Sequence, residues 1–244
     1  MKRDLAMGIH AVEALIKSGP DRLVRVWINR SAKATERIAV DLEAHGVPVE
    51  WVDAAALDRR AAGVRHQGLI AEFVPRAPID LQDLNDLLAR HEKPLVLVLD
   101  GITDPHNLGA CMRSAAAAGA LAVVVPKDRA AGLTPVARRA AAGAAERLPL
   151  AVVTNLARSL AALAEQGLWR IGLTGSAERS LYQSSLDGPL ALVLGSEGGG
   201  LRRLTREHCD ELVHIPMPGA MESLNVSVAA GIALFEAVRV RSDG

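Results

Sequence analysis

Three polar loops hold the residues of this chain whose types and spacing are suited to chemistry. One, Asp100-Gly101-Ile102-Thr103-Asp104-Pro105-His106-Asn107, opens a helix bearing Arg113. A second, Gly195-Ser196-Glu197-Gly198-Gly199-Gly200, directly follows an apolar run. The third places Ser223, Asn225 and Ser227 at alternate positions, between a break at Pro216, Pro218 and Gly219 and a small-residue run containing Ala229, Ala230, Gly231 and Ala233. Helix propensity alone would put Ala or Leu at those polar positions. Short polar side chains at a helix start either cap free N–H groups or face a ligand. With Asn107 as a capping residue, Arg113 lies under two turns further along and borders the same cleft.

Several chemistries are excluded by the same loops. The glycine loop lacks the Gly-Lys-Ser/Thr ending of a phosphate-binding P-loop, and Leu194 stands where a G-x-S-x-G elbow needs glycine, so Ser196 is a poor nucleophile. A GxGxxG reading of 198–203 fails at Arg203, which disfavours a dinucleotide-binding oxidoreductase. Cys111 and Cys209 are far apart and have no ligand spacing; both read as core thiols of a reducing compartment. Asp104-x-His106 alone does not make a metal site, and no metal is expected. His10, His66 and His106 read as structural or surface residues.

The elements that must position these loops follow from apolar periodicity. LVLVLDGI at 95–102 is a continuous apolar run of the kind buried on both faces of a parallel sheet, and a helix over 108–118 follows it. LAVVV at 121–125, LAVV at 150–153, WRIGLTG at 169–175, LALVLG at 190–195 and LVHI at 212–215 alternate with Ala-rich helical stretches, which predicts an open, mostly parallel α/β sheet. Ligands collect beyond the carboxyl ends of such strands. Residues 1–75 form a smaller α/β module, with helices over 8–17, 33–45 and 54–61 and strands over 23–28, 47–52 and 69–74. Arg59, Arg60, Arg65 and His66 are its densest basic cluster, and Asp53 and Asp58 stand close by. Residues 76–94, with Pro75 and Pro78 near their start and the acidic DLQDLNDLLARHEK, read as an interdomain linker with one helical segment; 95–244 is the second domain.

Half of the 244 residues are hydrophobic, ample for a real core, while Lys plus Arg balances Asp plus Glu at 28 each, so net charge argues neither for nor against a nucleic-acid partner. Three Trp, two Phe and one Tyr are too few for a base-stacking sheet; if the first module binds RNA, it reads shape and backbone. No apolar stretch approaches the 18 or so residues needed to span a bilayer, and a cytoplasmic location is expected.

NLGACMRSA after a strand ending in LDGITDPH, then LVLGSEGGGL, then IPMPGAMESLNVSVAAGIALFEA resemble, in that order, the three motifs of the SpoU (TrmH-like) 2′-O-ribose methyltransferases. The similarity extends from GIHAVEAL through HQGLIA and VPKDR to LTREHCDEL and covers nearly the whole chain. It implies S-adenosylmethionine as methyl donor, a guanosine ribose of 23S ribosomal RNA as substrate, and a homodimer. It also implies a C-terminal SPOUT-type α/β domain with a deep trefoil knot and a small N-terminal L30e/L7Ae-like RNA-binding domain. By place in the motifs, Arg113 would act on the ribose 2′-hydroxyl, Asn107 would support Arg113, Glu197 would orient either of them, and Ser223 and Asn225 would shape the pocket floor. Gly195, Ile215 and Leu224 match positions whose backbone groups hold the donor's adenosine part. The alternatives are a tRNA ribose methyltransferase and a non-catalytic RNA-binding ribosome-assembly factor.

Overall fold

The computed structural model describes residues 3–31, 35–196, 198–219, 221 and 223–242. They divide into two compact units, Met1–Ala77 with Ala142–Arg147, and Pro78–Ala141 with Leu148–Gly244.

In the first unit β1 (Asp4–Met7), α1 (Ile9–Ser18), β2 (Leu23–Asn29), α2 (Glu36–Ala44), β3 (Val49–Val52), α3 (Ala54–Ala61) and β4 (Leu69–Phe73) follow one another. The sheet order is β1-β4-β2-β3, with β2 and β3 parallel and β4 antiparallel to both of its neighbours. Its core gathers Val12, Leu15, Val26, Ile28, Leu42 and Phe73. The basic cluster seen in the sequence is partly engaged: the Arg60 guanidinium lies 4.8 Å from the centre of the Trp27 ring, and His66 Nε2 sits 3.0 Å from Asp58 Oδ1. Residues 142–147 belong to this unit through a buried ion pair. Arg22 Nη1 donates to Glu146 Oε2 at 2.8 Å, and Gly143, at φ +89°, leaves no room for a side chain against Ala14 and the His10 carbonyl.

The second unit comprises α4 (Leu81–Leu88), β5 (Leu95–Asp100), α5 (Pro105–Ala117), β6 (Ala122–Pro126), α6 (Pro135–Ala140), β7 (Leu150–Val153), α7 (Leu156–Glu165), β8 (Trp169–Leu173), β9 (Arg179–Ser180), β10 (Leu190–Gly195), α8 (Arg203–Glu207), β11 (Glu211–His214) and α9 (Val226–Ser242). All strand pairs are parallel, in the order β7-β6-β5-β10-β8-β11-β9. The stretch expected as a linker is part of this unit from Pro78 on. Ile79 bridges to the β7 strand through Ile79 N to Leu150 O and Val152 N to Ile79 O, both 3.0 Å, and α4 buries Leu84 and Leu88 in the core. Its acidity belongs to the outer helix face, where Asp83 and Asp86 are exposed, and to the Asp80–Asp83 capping box.

Two helices differ from the sequence expectation. α5 begins at Pro105, with Asp104 as its cap accepting from His106 N at 2.9 Å, so Asn107 is inside the first turn and is not the cap. In α9 the small residues Ala230 and Ala233 are fully buried, and a side chain on Gly231 would meet Ser114 Oγ of α5 at 3.8 Å. Their smoothness is used within the chain; the apolar side chains α9 leaves exposed are Val228 and Phe235. The far end of α9 is fixed by Arg241, whose guanidinium donates to the carbonyls of Leu186 and Gly188; burial lowers its pKa.

The edge of the sheet near the site is pinned by one residue pair. Arg170 on β8 donates through N and Nε, both at 2.8 Å, to Asp210 Oδ2, while Asp210 N donates back to Arg170 O at 2.8 Å just before β11. The Arg170 side-chain hydrogen bonds hold the Asp210 carboxyl below its ordinary value of 3.8. Cys209 beside it packs on Gly172, and burial pushes its thiol up to about 12, leaving it unreactive at neutral pH. Asp210→Asn should cost about 1.5–3 kcal/mol at pH 7 by urea unfolding. Because the folded pKa is the lower one, this contribution is complete above 3.8 and disappears as the pH falls through the folded value, so the gap between wild type and variant should close at acid pH. A gap independent of pH would show that the charge of Asp210 is not what holds β11.

Candidate active site

A cavity of about 390 Å³ opens at the carboxyl ends of β8 and β10 and under the segment leading from β11 into α9. Four stretches wall it: Leu173, Thr174 and Gly175 after β8; Leu194, Gly195 and the turn to Gly200; Ile215 and Met217 after β11; and Ser223, Leu224 and Val226 at the start of α9. The volume falls in the range of pockets for drug-sized ligands, which pair apolar walls with a few fixed polar groups. Here the apolar residues include Leu173, Leu194, Ile215, Leu224 and Val226, and the polar ones are Thr174, Ser196 and Ser223, with glycines of the chain leaving the strand ends.

The wall after β10 is a closed turn. Ser196 N donates to Gly200 O at 3.1 Å and Gly200 N to Ser196 O at 2.9 Å, with Gly198 and Gly200 at φ +76° and +61°. The returning strand of this turn crosses so close to Gly195 that a Cβ there would overlap the Gly200 carbonyl group and Leu201 N. Gly195 is therefore required by the protein's own backbone; its φ is not positive. Glu197 lies outside the described residues.

The site residues expected from the sequence fall into two groups. Gly195, Ile215, Ser223 and Leu224 line the cavity. Asn107 and Asn225 do not; they join α5 to α9, with Asn225 Nδ2 donating to Asn107 Oδ1 at 3.0 Å. The other end of the same amide caps α9, Asn225 Oδ1 accepting from Ser227 N at 2.9 Å and Ser227 Oγ at 2.6 Å, so the orientation of the Asn225 amide is fixed from both ends. Asn107 is largely buried, whereas Arg113 is exposed. Six residues at about 100° each put Arg113 about 120° round α5 from Asn107 and about 9 Å along its axis, facing solvent. Thr174, Gly175 and Met217 are cavity residues that sequence reasoning missed. The available signal was position: Thr174 and Gly175 follow a strand's carboxyl end, as a ligand site in a parallel sheet requires. Among the described residues no group of three or more His, Cys, Asp or Glu is placed to hold a metal ion.

The fold is similar to that of the SpoU methyltransferase AviRb from Streptomyces viridochromogenes, solved in complex with the cofactor AdoMet. The two superpose with a TM-score of 0.81 over 99% of this chain and 91% of that one, at 24% identity, a likeness of fold. A crystal structure of an RNA 2′-O ribose methyltransferase is 28% identical, with a TM-score of 0.78 over 98% of this chain and 89% of that one. Residues 94–235 match the SpoU rRNA methylase family, and residues 5–78 match the RNA 2′-O ribose methyltransferase substrate-binding family. The 23S rRNA (guanosine-2′-O-)-methyltransferase RlmB of Vibrio cholerae is 51% identical over 243 residues, covering 99% of this chain and 98% of that protein. The chain belongs to the SpoU rRNA methylase family.

The crowding at Gly195 yields a direct test. Gly195→Ala should destabilise the protein by about 1–3 kcal/mol, the usual cost of forcing a methyl into a filled position, as measured by urea unfolding without ligand. Unchanged stability would mean that the turn is free to move off the strand end.

Proposed function

We propose that this protein transfers a methyl group from S-adenosylmethionine to the ribose 2′-hydroxyl of a guanosine in 23S ribosomal RNA, acting in the cytoplasm as a homodimer. The observation that carries this reading is the pairing of a cavity at strand ends with an adjoining helix, α5, tied to the cavity's own wall by the Asn107–Asn225 hydrogen bond. Full-length similarity to a guanosine-2′-O-methyltransferase of 23S rRNA supports the substrate class.

The cavity fits the donor. Leu194, Ile215 and Leu224 in the lining would offer apolar faces to a purine, and backbone groups at Gly195, Ile215 and Leu224 would meet its polar edges. When bound, S-adenosylmethionine supplies a methyl carbon on a positively charged sulfur, which leaves as a neutral thioether. The protein's part is to hold the ribose oxygen in line with that carbon and to manage the proton the hydroxyl gives up; positioning alone supplies about 7–11 kcal/mol. Ser223 shapes the floor of the cavity beside Leu224. Asn225 and Asn107 set the position of α5 against the cavity. Arg113, outward on the same helix, meets the RNA side of the site. A guanidinium has five donors and no acceptor, so Arg113 stabilises the forming alkoxide or pins a phosphate that takes the proton. Residues 1 to about 75 select the RNA.

Arg113→Ala should lower single-turnover methylation of a large-subunit rRNA fragment by roughly a hundredfold or more, with donor affinity by calorimetry nearly intact. Arg113→Lys should recover little, because an ammonium lacks the fork geometry. Loss of donor binding in proportion to rate would move Arg113 into the donor site, and wild-type turnover would make it a surface residue.

The exposed pair Val228 and Phe235, seven residues apart and so on one face of α9, supports self-association through that helix. Phe235→Asp should sediment as a monomer at concentrations where the wild type is a dimer; a wild type that is monomeric and fully active would refute the dimer.

A further inference from the structure

Asp100 is a carboxylate with its side chain fully buried at the end of β5, level with Gly195 of β10 in the parallel register. A buried carboxylate is tolerated only when its oxygens are taken up by donors or an opposite charge. Both of its oxygens are engaged by a single residue, Arg202. Oδ2 accepts from the Arg202 backbone N–H at 2.9 Å, and Oδ1 receives Nε and Nη2 of the guanidinium. Arg202 is the second residue after the closed turn, and Leu201 between them is buried in the core. The turn thus leaves the sheet at Gly195 and is returned to it, one strand over, by the Asp100–Arg202 pair.

We infer that Asp100 and Arg202 are a positioning pair: they hold the turn between Ser196 and Gly200 in the shape that forms one wall of the cavity, and so preset the cavity for the adenosyl donor. This rests on the reading of the cavity as the donor site. Neither side chain lines the cavity, so the pair acts through the backbone of the turn, three of whose residues, Ser196, Gly198 and Gly200, do line it. The same carboxylate stands immediately before Gly101, at φ +84°, where the chain turns toward α5. One buried charge therefore stands at the starts of two loops, of which the glycine turn lines the cavity.

Removing the guanidinium frees the turn while the backbone bond from Arg202 N to Asp100 remains available. If the competent shape then falls to about a tenth of the population, apparent donor affinity drops about tenfold, because affinity scales with the competent fraction. The experiment uses the full-length chain, with S-adenosylmethionine and S-adenosylhomocysteine as calorimetric probes. Alongside these go single-turnover methylation across donor concentrations and amide hydrogen exchange of residues 196–202 without ligand. Arg202→Ala is expected to weaken binding of both probes about tenfold or more, raise the donor KM to match, keep kcat at saturating donor within about threefold, and speed exchange in that turn. Arg202→Lys, which restores the charge without the fork, should recover part of the affinity. Asp100→Asn should weaken binding similarly, and the double variant should be no worse than the weaker single one. Unchanged donor affinity in Arg202→Ala, or a fall in kcat with affinity kept, overturns the positioning role. A wild type that binds neither probe overturns the donor-site reading itself, a result distinct from either of these.

Discussion

The pairing of β5 with β10 is the constraint on which the site depends. Leu95 to Asp100 and Leu190 to Gly195 run side by side in register, and every residue of the pair except Gly195 is buried. Such a pair, apolar on both faces, has no solvent side to slip toward; a shift of one residue would exchange the faces of every side chain and bury mismatched volumes. That fixed register ends both strands at one level. From that level the chain departs twice, toward α5 and into the glycine turn. The cavity lies beside that level, at the carboxyl ends of β10 and its other neighbour β8.

The candidate site has two contiguous regions. The cavity is lined by glycines, apolar residues and the hydroxyl residues Thr174, Ser196 and Ser223, with no charged residue among those described. The polar groups proposed for the chemistry, Asn107, Asn225 and Arg113, lie on α5 and at the start of α9. Asn225 is the hinge between the regions, since its amide caps α9 with one end and reaches α5 with the other. Its side chain can serve both partners because an amide carries a donor and an acceptor on opposite branches; Asp at this position would offer no donor to Asn107 Oδ1.

The central strands were legible because burial on both faces writes a continuous apolar run, and residues 95–100, 150–153 and 190–195 each carry one. β1 and β9 were not. DLAM is short and only partly buried, and Arg179–Ser180 is a two-residue edge; both become strands through pairing with β4 and β11, which is tertiary information. The 76–94 stretch misled because its acidic face outweighs its two core leucines in composition. Asn107 misled as a cap because Asp104-Pro105 is itself a cap followed by a first-turn proline, a stronger start signal three residues earlier. Of the candidate site, the glycine turn and the α9 start were visible as departures from propensity. Thr174 and Gly175 were not, since nothing in their types distinguishes them from an ordinary strand end.

The placement of residues 142–147 bears on cooperativity. The backbone passes between the units at three points, after Ala77, after Ala141 and after Arg147, so neither unit is one uninterrupted length of chain. Melting the first unit would turn that segment, with the Glu146 carboxylate deprived of Arg22, into a slack insertion between α6 and β7 of the second. Melting the second would release both ends of a piece the first unit has buried. Each unit thus bears a conformational-entropy penalty when the other is lost, and the two share part of one unfolding free energy without any requirement for a large interface.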